Sequence, residues 1–493
     1  MQIELQRAGD PDGRPVYRQI ADHIRSEIAA DIFGAGARLP AIRALARSLR
    51  VNRDTVALAY EELAAEGVVE SAVGRGTFVR LAPQASPFQA FQPSLSPLVE
   101  RLLEFERARP RFGSGKAAVA MHAIIPDPSL YPAESFRRIL NRVLRDGGPE
   151  LLIYGGPQGY EKLREVVAER LRKVSIDVGS DEIVLCHGAS QGISLSLRLF
   201  AEPGDTVAFE EPTYTNLLAT AFGLGLKPAP IPMRGDGLDL AVLERTLERP
   251  EVKLLYTIPT FNNPLGTTST LEHRRALLEI AARHGKPVIV DGYEMDLRFA
   301  GRSVPSLAAL DGTGLVVLLT SFSKSLFPGV RVGAIVARGR LVDALVALKS
   351  ATDLSDAMPL QAAVAEFVAR GHYDRHLARL RRILRSRRDA LLDALDRELP
   401  TGARWNVPEG GYQVWVELPD GIDTGELLAD AVGAGVLFAP GSQFRHDGRA
   451  SSDLRLSFAM AREDDLRRGV AALGRVLRDR FASPVRRAAK VHI

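Results

Sequence analysis

The chain has 493 residues, 46% hydrophobic and 25% charged, which is ordinary for a globular protein and long enough for about two or three domains. It has no uninterrupted apolar run of about 18 residues, so no membrane span is expected, and Met1-Gln2-Ile3-Glu4-Leu5 lacks the basic and apolar regions of a secretory signal. One cysteine excludes an intrachain disulfide and fits a reducing cytoplasm, while a net charge of +4 decides nothing about nucleic acid.

Residues 1–80 read as a small helical unit ending in a hairpin. Val16, Ile20, Ile24 and Ile28 recur at helical spacing, and Gly34-Ala35-Gly36 stops that helix. Leu39-Pro40 opens a second helix at Ala41, with Ile42, Leu45, Ala46 and Leu49 on its core face. Asn52 is a good N-cap for a third, in which Val56, Tyr60 and Leu63 face inward and which Gly67 ends. Val68-Val69-Glu70 and Thr77-Phe78-Val79 then pair around Gly74-Arg75-Gly76. Helix, turn, helix and wing form a DNA-reading shape. Arg38, Arg43, Arg47, Arg50 and Arg53 cluster against a single acid, Asp54, whereas Glu61, Glu62 and Glu66 lie beyond the first turn of the third helix. A local basic patch, rather than net charge, would supply the electrostatic affinity.

This unit resembles the winged-helix domain of the GntR family over residues 12–80. The likeness rests on Gly36-Ala37-Arg38-Leu39-Pro40, Arg43, Val51-Asn52-Arg53-Asp54-Thr55-Val56, Gly67 and Gly74-Arg75-Gly76-Thr77-Phe78-Val79. The resemblance implies a DNA-facing set of Arg38, Arg43, Arg53, Thr55, Arg75 and Gly76. Within it Arg43 and Arg53 would meet phosphates or bases, Thr55 a phosphate, and Arg75-Gly76 the minor groove. Ala41-Ile42 stand where the family often carries a Ser and a polar residue.

Residues 81–117 change character. Pro83, Pro87, Pro93, Pro97 and Pro110 are expected to break any regular element, a linker signature, with one amphipathic piece at Leu98–Phe105 able to dock on a domain. From 118 to 482, apolar strands alternate with helical stretches. The strands are expected at Glu182–Cys186, Thr206–Phe209, Leu254–Ile258, Pro287–Val290, Gly314–Thr320 and Gly333–Val336, with helices such as Gln191–Phe200 and Leu271–His284 between them. That alternation implies a mostly parallel sheet covered on both faces. Cys186 lies inside an apolar strand and reads as a core residue. The tail from Ser483 reads as a solvated, basic end.

Lys324 follows an apolar run, Leu315 to Leu319, and sits among hydroxyl residues in Ser321-Phe322-Ser323-Lys324-Ser325. A desolvated ammonium loses its proton readily, which suits Schiff-base chemistry. Asp291 ends another apolar strand, and Arg331 follows Lys324 closely enough to clamp a phosphate. Pyridoxal 5′-phosphate (PLP) needs these three groups together: a bonding lysine, a carboxylate for the ring nitrogen and a phosphate cation. Gly188-Ala189-Ser190-Gln191-Gly192 opens a helix after a strand, where backbone N–H groups favour a phosphate.

The body resembles fold-type I, class I/II aminotransferases over residues 121–480, with the motifs in the family's order. The resemblance makes Lys324 the catalytic residue and gives the cofactor to Ala189, Ser190, Gln191, Tyr214, Asn263, Asp291, Tyr293, Ser321, Ser323, Lys324 and Arg331. Tyr214, in Glu211-Pro212-Thr213-Tyr214, would stack on the ring. Asn263, in Asn262-Asn263-Pro264-Leu265-Gly266, and Tyr293 would share the phenolic oxygen. Tyr154 would reach the phosphate of a partner subunit, and Arg455, in Leu454-Arg455-Leu456, would bind a substrate carboxylate. Two positions depart from the pattern: Ile124 stands where many relatives have Gly, and Thr213 where the fused regulators have Gly. A large domain of about 155–345 and a small domain from the remainder are implied.

A GntR-type reader joined to such a body is the architecture of the MocR (GabR-like) regulators. The resemblance implies a cytoplasmic, head-to-tail swapped homodimer that binds operator DNA and responds to PLP, an amino acid or an amine. The alternatives are an active aminotransferase that passes an amino group to a 2-oxo acid, and a sensor of PLP alone. No metal site is expected.

Overall fold

A computed structural model describes residues 15–30, 32–72, 76–80, 94–108, 119–235 and 237–482. The chain divides into two compact units at Ser94/Leu95. In the first, α1 (Val16–Ala29) buries Ile20 and Ile24, α2 (Ile42–Leu49) buries Leu45, Ala46 and Leu49, and α3 (Arg53–Ala65) buries Val56, Tyr60 and Leu63. These side chains form one small core, as their spacing requires. Asn52 caps α3 by accepting from the Asp54 N–H at 3.1 Å. The second helix starts at Ile42, so Pro40 lies ahead of its N-cap, where its carbonyl accepts from the Tyr60 hydroxyl at 2.8 Å. Gly67 takes φ +74°, a left-handed turn that releases the chain from α3. β1 (Val69–Ala72) and β2 (Gly76–Val79) pair antiparallel, Val69 with Val79 and Ala72 with Gly76, which makes the wing.

The linker expectation needs one correction. Pro97 does not break structure; it is the first residue of α4 (Pro97–Ala108), the place in a helix where a missing N–H costs nothing. This helix belongs to the second unit. Phe105 meets Phe222 edge-on at 5.2 Å, and Leu98 packs close against Gly225. Residues 81–93 and 109–117, and the tail from Ser483, lie outside the described residues.

The second unit is built on an eight-stranded sheet. Its strand order is Ile183–Cys186, Gly333–Val336, Val316–Ser321, Val288–Asp291, Val252–Thr257, Thr206–Glu211, Lys227–Arg234 and Gly237–Leu238. Gly333–Val336 and Gly237–Leu238 run antiparallel to their neighbours, and the pairings between Val316 and Arg234 are parallel. The middle strands are mostly apolar because helices cover both faces, with polar residues such as Glu210, Thr257 and Asp291 toward their carboxyl ends. The six expected strands are present within a few residues. Lys227–Arg234 was not among the expected strands, and its Pro228, Pro230 and Pro232 each lack a ladder donor. At alternate positions the missing donors all fall on one edge, so the other edge still pairs in register with Thr206–Glu211. A four-stranded antiparallel sheet, Arg404–Trp405, Gln413–Glu417, Asp453–Ser457 and Ala439–Pro440, and the helices His372–Glu398 and Glu463–Ala482 contribute to the same apolar core. No helix among the described residues is long and apolar enough to cross a membrane.

Candidate cofactor site and nucleic-acid interface

In an open sheet of parallel strands, ligands collect where the carboxyl ends emerge. Asp291 is the last residue of its strand and pairs with Leu319 on the next, whose continuation carries Ser321, Ser323 and Lys324. Lys324 and Asp291 are therefore brought together by strand register, not by nearness in sequence. Ala189 and Ser190 begin the helix Ala189–Phe200 after the strand Ile183–Cys186, with Gly188 as N-cap at φ +77°. A Cβ on Gly188 would lie 3.1 Å from the Arg331 guanidinium, so glycine lets Arg331 close over this turn. Arg331 donates to the His187 carbonyl at 2.5 Å.

These segments enclose a cavity of about 110 Å³. It is lined by Ile124, Ala189, Ser190, Tyr214, Asn263, Asp291, Tyr293, Ser321, Ser323, Lys324, Pro328 and Arg331. Gln191, expected at the cofactor, does not line it, whereas Tyr154 is expected to serve a partner subunit's cofactor. The Gln191 side chain folds back over the helix start, accepting from the His187 N–H at 2.8 Å and donating to Asp353 at 2.5 Å. It satisfies the His187 amide, just ahead of the N-cap, and shapes the turn from behind. Tyr154 lies outside the cavity and is 80% exposed. Arg455 stands just behind the lining, buried, donating to Asn263 Oδ1 at 2.8 Å and to the His122 carbonyl at 2.6 Å; its Nε has no partner among the described residues.

Electrostatics in the cavity follow from burial. Asp291 is pushed up to about 6 by desolvation, against hydrogen bonds from the Tyr256 hydroxyl at 2.7 Å and the Tyr293 N–H at 3.2 Å. Burial drives Lys324 below the ordinary lysine range, and its Nζ donates to the Ile124 carbonyl at 2.8 Å. Ser323 Oγ is buried with no partner among the described residues. An unsatisfied hydroxyl beside a helix N-terminus and an arginine fits a phosphate, and a buried acid without a cationic hydrogen-bond partner fits a protonated ring nitrogen. The residues present therefore fit PLP. Cys186 is buried, with its thiol pushed up to about 12 by desolvation, which suits a core residue.

Several contributors carry no local motif. Tyr256 holds Asp291 from the adjacent strand. Glu210, pushed up to about 7 by burial, accepts from Thr257 Oγ1, the Ile258 N–H and Asn262 Nδ2, and so fixes the loop that presents Asn263. Tyr412 donates to the Lys324 carbonyl at 2.5 Å. Glu294 is buried, which pushes its carboxyl up to about 8. An acid or tyrosine inside an otherwise apolar strand end is the one sequence signal that Glu210 and Tyr256 offer.

In the first unit Arg38, Arg43, Arg47, Arg50 and Arg53 are all exposed. Arg38 forms a bridge with Phe78, and its Nε would lie 2.8 Å from a Cβ on Gly76, which places it against the wing. Thr55 is half-buried in the first turn of α3, and Arg53 faces Asp54 at 3.5 Å. Arg75 lies outside the described residues.

A winged helix-turn-helix and a fold-type I cavity in one chain define a DNA-binding protein with an aminotransferase-type body. Residues 129–473 match the aminotransferase class I and II family and residues 16–79 the bacterial regulatory proteins of the gntR family. The chain belongs to the aminotransferase class I and II family, carrying a gntR-family domain at its N-terminal side. It is 31% identical over 467 residues to the probable rhizopine catabolism regulatory protein MocR of Rhizobium meliloti, covering 93% of each chain. It is 36% identical to the 2-aminoadipate transaminase of Thermus thermophilus, covering 73% of this chain and 89% of that one. Among solved structures, LysN, the α-aminoadipate aminotransferase of Thermus thermophilus, superimposes with a TM-score of 0.70 at 33% identity, covering 78% of this chain and 96% of that one. The multiple substrate aminotransferase of Thermococcus profundus gives 0.72 at 30%, covering 79% and 96%. The relatives that run the full length are HTH-type regulators, whereas the free-standing aminotransferases cover the body alone. The class I and II fold and its relatives are PLP-dependent.

Proposed function

We propose that this chain is a transcriptional regulator in which the winged helix binds operator DNA and the aminotransferase-type body uses PLP to sense an amino compound. The observation that carries this reading is the pairing, in one polypeptide, of an exposed arginine cluster on a winged helix with a cavity that holds a lysine, an acid and a phosphate turn. PLP would supply an aldehyde that captures amines and a ring that withdraws electrons. Lys324 would bond the cofactor and Asp291 would keep a proton on its ring nitrogen. Ala189, Ser190, Ser321, Ser323 and Arg331 would hold its phosphate. Asn263 and Tyr293 would hold its phenolic oxygen, and Tyr214 would pack on its face. Arg455 would orient a ligand carboxylate through its free Nε.

The body would pair with a second copy of the chain. Leu152, Ile153 and Tyr154 are 70%, 67% and 80% exposed, and the Gly155 N–H donates to Ser355 beside Leu354, itself 69% exposed. A contiguous apolar patch of this kind favours a subunit contact. A regulator that acts on DNA, with one buried cysteine, fits a reducing cytoplasm. The second reading, an active aminotransferase, is favoured by the 36% identity to a 2-aminoadipate transaminase, while Arg455 counts against a sensor of PLP alone.

Footprinting of the DNA upstream of the chain's own gene tests the proposal. PLP-loaded protein is expected to protect a discrete site, and Lys324→Ala protein, treated identically and reduced with borohydride, to carry no covalent cofactor. Uniform, non-specific protection would overturn the regulatory reading.

A further inference from the structure

The phosphate turn is gripped from behind by side chains that the proposed site leaves out. Gln191 Oε1 accepts from the His187 N–H at 2.8 Å, and Arg331 donates to the His187 carbonyl at 2.5 Å. Both backbone groups of His187 are thus held, just ahead of Gly188 at φ +77°. Glycine lets the chain turn here but gives it no stiffness, so the stiffness must come from elsewhere. Gln191 Nε2 in turn donates at 2.5 Å to Asp353 Oδ2, 162 positions further along the chain.

Asp353 is itself fixed on two sides. Its N–H donates to the Lys349 carbonyl at 2.8 Å, at the end of the helix Arg340–Ser350. Lys349 is fully buried, and its Nζ lies 3.4 Å from Asp353 Oδ1 and 3.0 Å from Asp356 Oδ1. The His187 ring nitrogen lies 3.5 Å from Asp353 and 3.3 Å from Asp356. A histidine with two acids at such distances resembles a metal site, but the Lys349 ammonium already answers both carboxylates. A buried ammonium stays where its anions are, since leaving either side unpaired is costly. Lys349 therefore pins one oxygen of Asp353 and leaves the other to Gln191.

We infer that Asp353 is a positioning residue for the cofactor's phosphate, acting through Gln191. The inference rests on the reading of the cavity as a PLP site. Asp353 does not line that cavity, and its charge is answered by Lys349. What it contributes is a fixed amide. With Gln191 Nε2 held, Oε1 keeps the His187 N–H, and the helix start and the Arg331 guanidinium keep their places around the phosphate. A free Gln191 would let the glycine turn sample other shapes, and the backbone donors of the helix start would no longer be aimed in advance.

The test compares PLP with pyridoxal, which lacks only the phosphate. Each is titrated into cofactor-free, full-length protein, and its dissociation constant is read from the absorbance of the bound aldehyde. In Asp353→Ala the preference for PLP over pyridoxal is expected to fall about fivefold or more, roughly what one hydrogen bond contributes. The pyridoxal constant itself should move little, whereas a general loosening of the fold would weaken both ligands alike. Asp353→Asn, whose Oδ1 still accepts from Gln191, is expected to stay nearer the wild type. Asp353→Leu is carried alongside, so that the result does not depend on the folding of one variant. Gln191→Ala should show the same fall, and the double variant Gln191→Ala, Asp353→Ala no further one, because the two residues act in series. An unchanged preference in the folded Asp353→Ala and Asp353→Leu proteins would overturn the inference. So would a raised preference, which would make the carboxylate a charge that opposes the phosphate, or losses that add in the double variant. Wild-type protein that binds pyridoxal as tightly as PLP, or binds neither, would instead overturn the reading of the cavity and this inference with it.

Discussion

At Asp291, burial and two hydrogen bonds pull in opposite directions, and burial wins. A carboxyl raised from 3.8 to about 6 in the folded chain favours its protonated form. Its cost to stability is absent below the unfolded value, grows as pH rises between the two and is complete above the folded value. The cofactor-free protein should therefore lose stability, on the order of 3 kcal/mol, as pH rises from about 4 through about 6. Asp291→Asn should flatten that loss, leaving cofactor-free protein more stable at neutral pH, and should weaken the stabilisation that PLP confers. Urea unfolding with and without PLP across this range checks it; an unchanged pH dependence would show that Asp291 is not a buried acid awaiting a cation. Lys324, Asp291 and Arg331 were legible in the sequence because their chemistry is rare in combination. Glu210 and Tyr256 were not, because each acts across strands far apart in the chain, and only strand register brings Tyr256 to Asp291. Gln191 is expected at the phosphate through its helix-start backbone, while its side chain is engaged by the His187 N–H and Asp353.

Among the elements, the helices of the winged unit were legible residue by residue. Their apolar stripes repeat at helical spacing and their ends carry Asn52 and Gly67. The central strands were legible as continuous apolar runs. The strand Lys227–Arg234 was not, since its prolines count against it until the pairing edge is known. Pro97 likewise reads as a breaker although it opens α4. The arginines on α2 and α3 carry a prediction of their own. Arg43 and Arg53 are exposed, so Arg43→Ala and Arg53→Ala should each weaken operator binding and lower the salt slope by about one per lost phosphate contact. Fluorescence anisotropy over a salt series checks this. Wild-type affinity in the double variant would remove α2 and α3 from the interface.

For the whole molecule, the account requires that amine binding in the body alter how the reader meets DNA, which is a coupling free energy between two sites. It also requires a dimer. Ile153→Asp, placing a charge on the exposed Leu152-Ile153-Tyr154 patch, should shift the protein toward monomer in sedimentation velocity while leaving the isolated fold intact, and an unmoved dimer would place the subunit contact elsewhere. The central measurement is a titration of PLP-loaded, full-length protein with its operator, with and without a panel of amino acids and amines, and with keto-acid release followed in the same samples. The account predicts a specific site whose affinity changes about fivefold or more with at least one amine. Affinity that no amine alters, together with turnover at about 1 per second or faster, would contradict it and make the chain an aminotransferase that carries a DNA-binding domain.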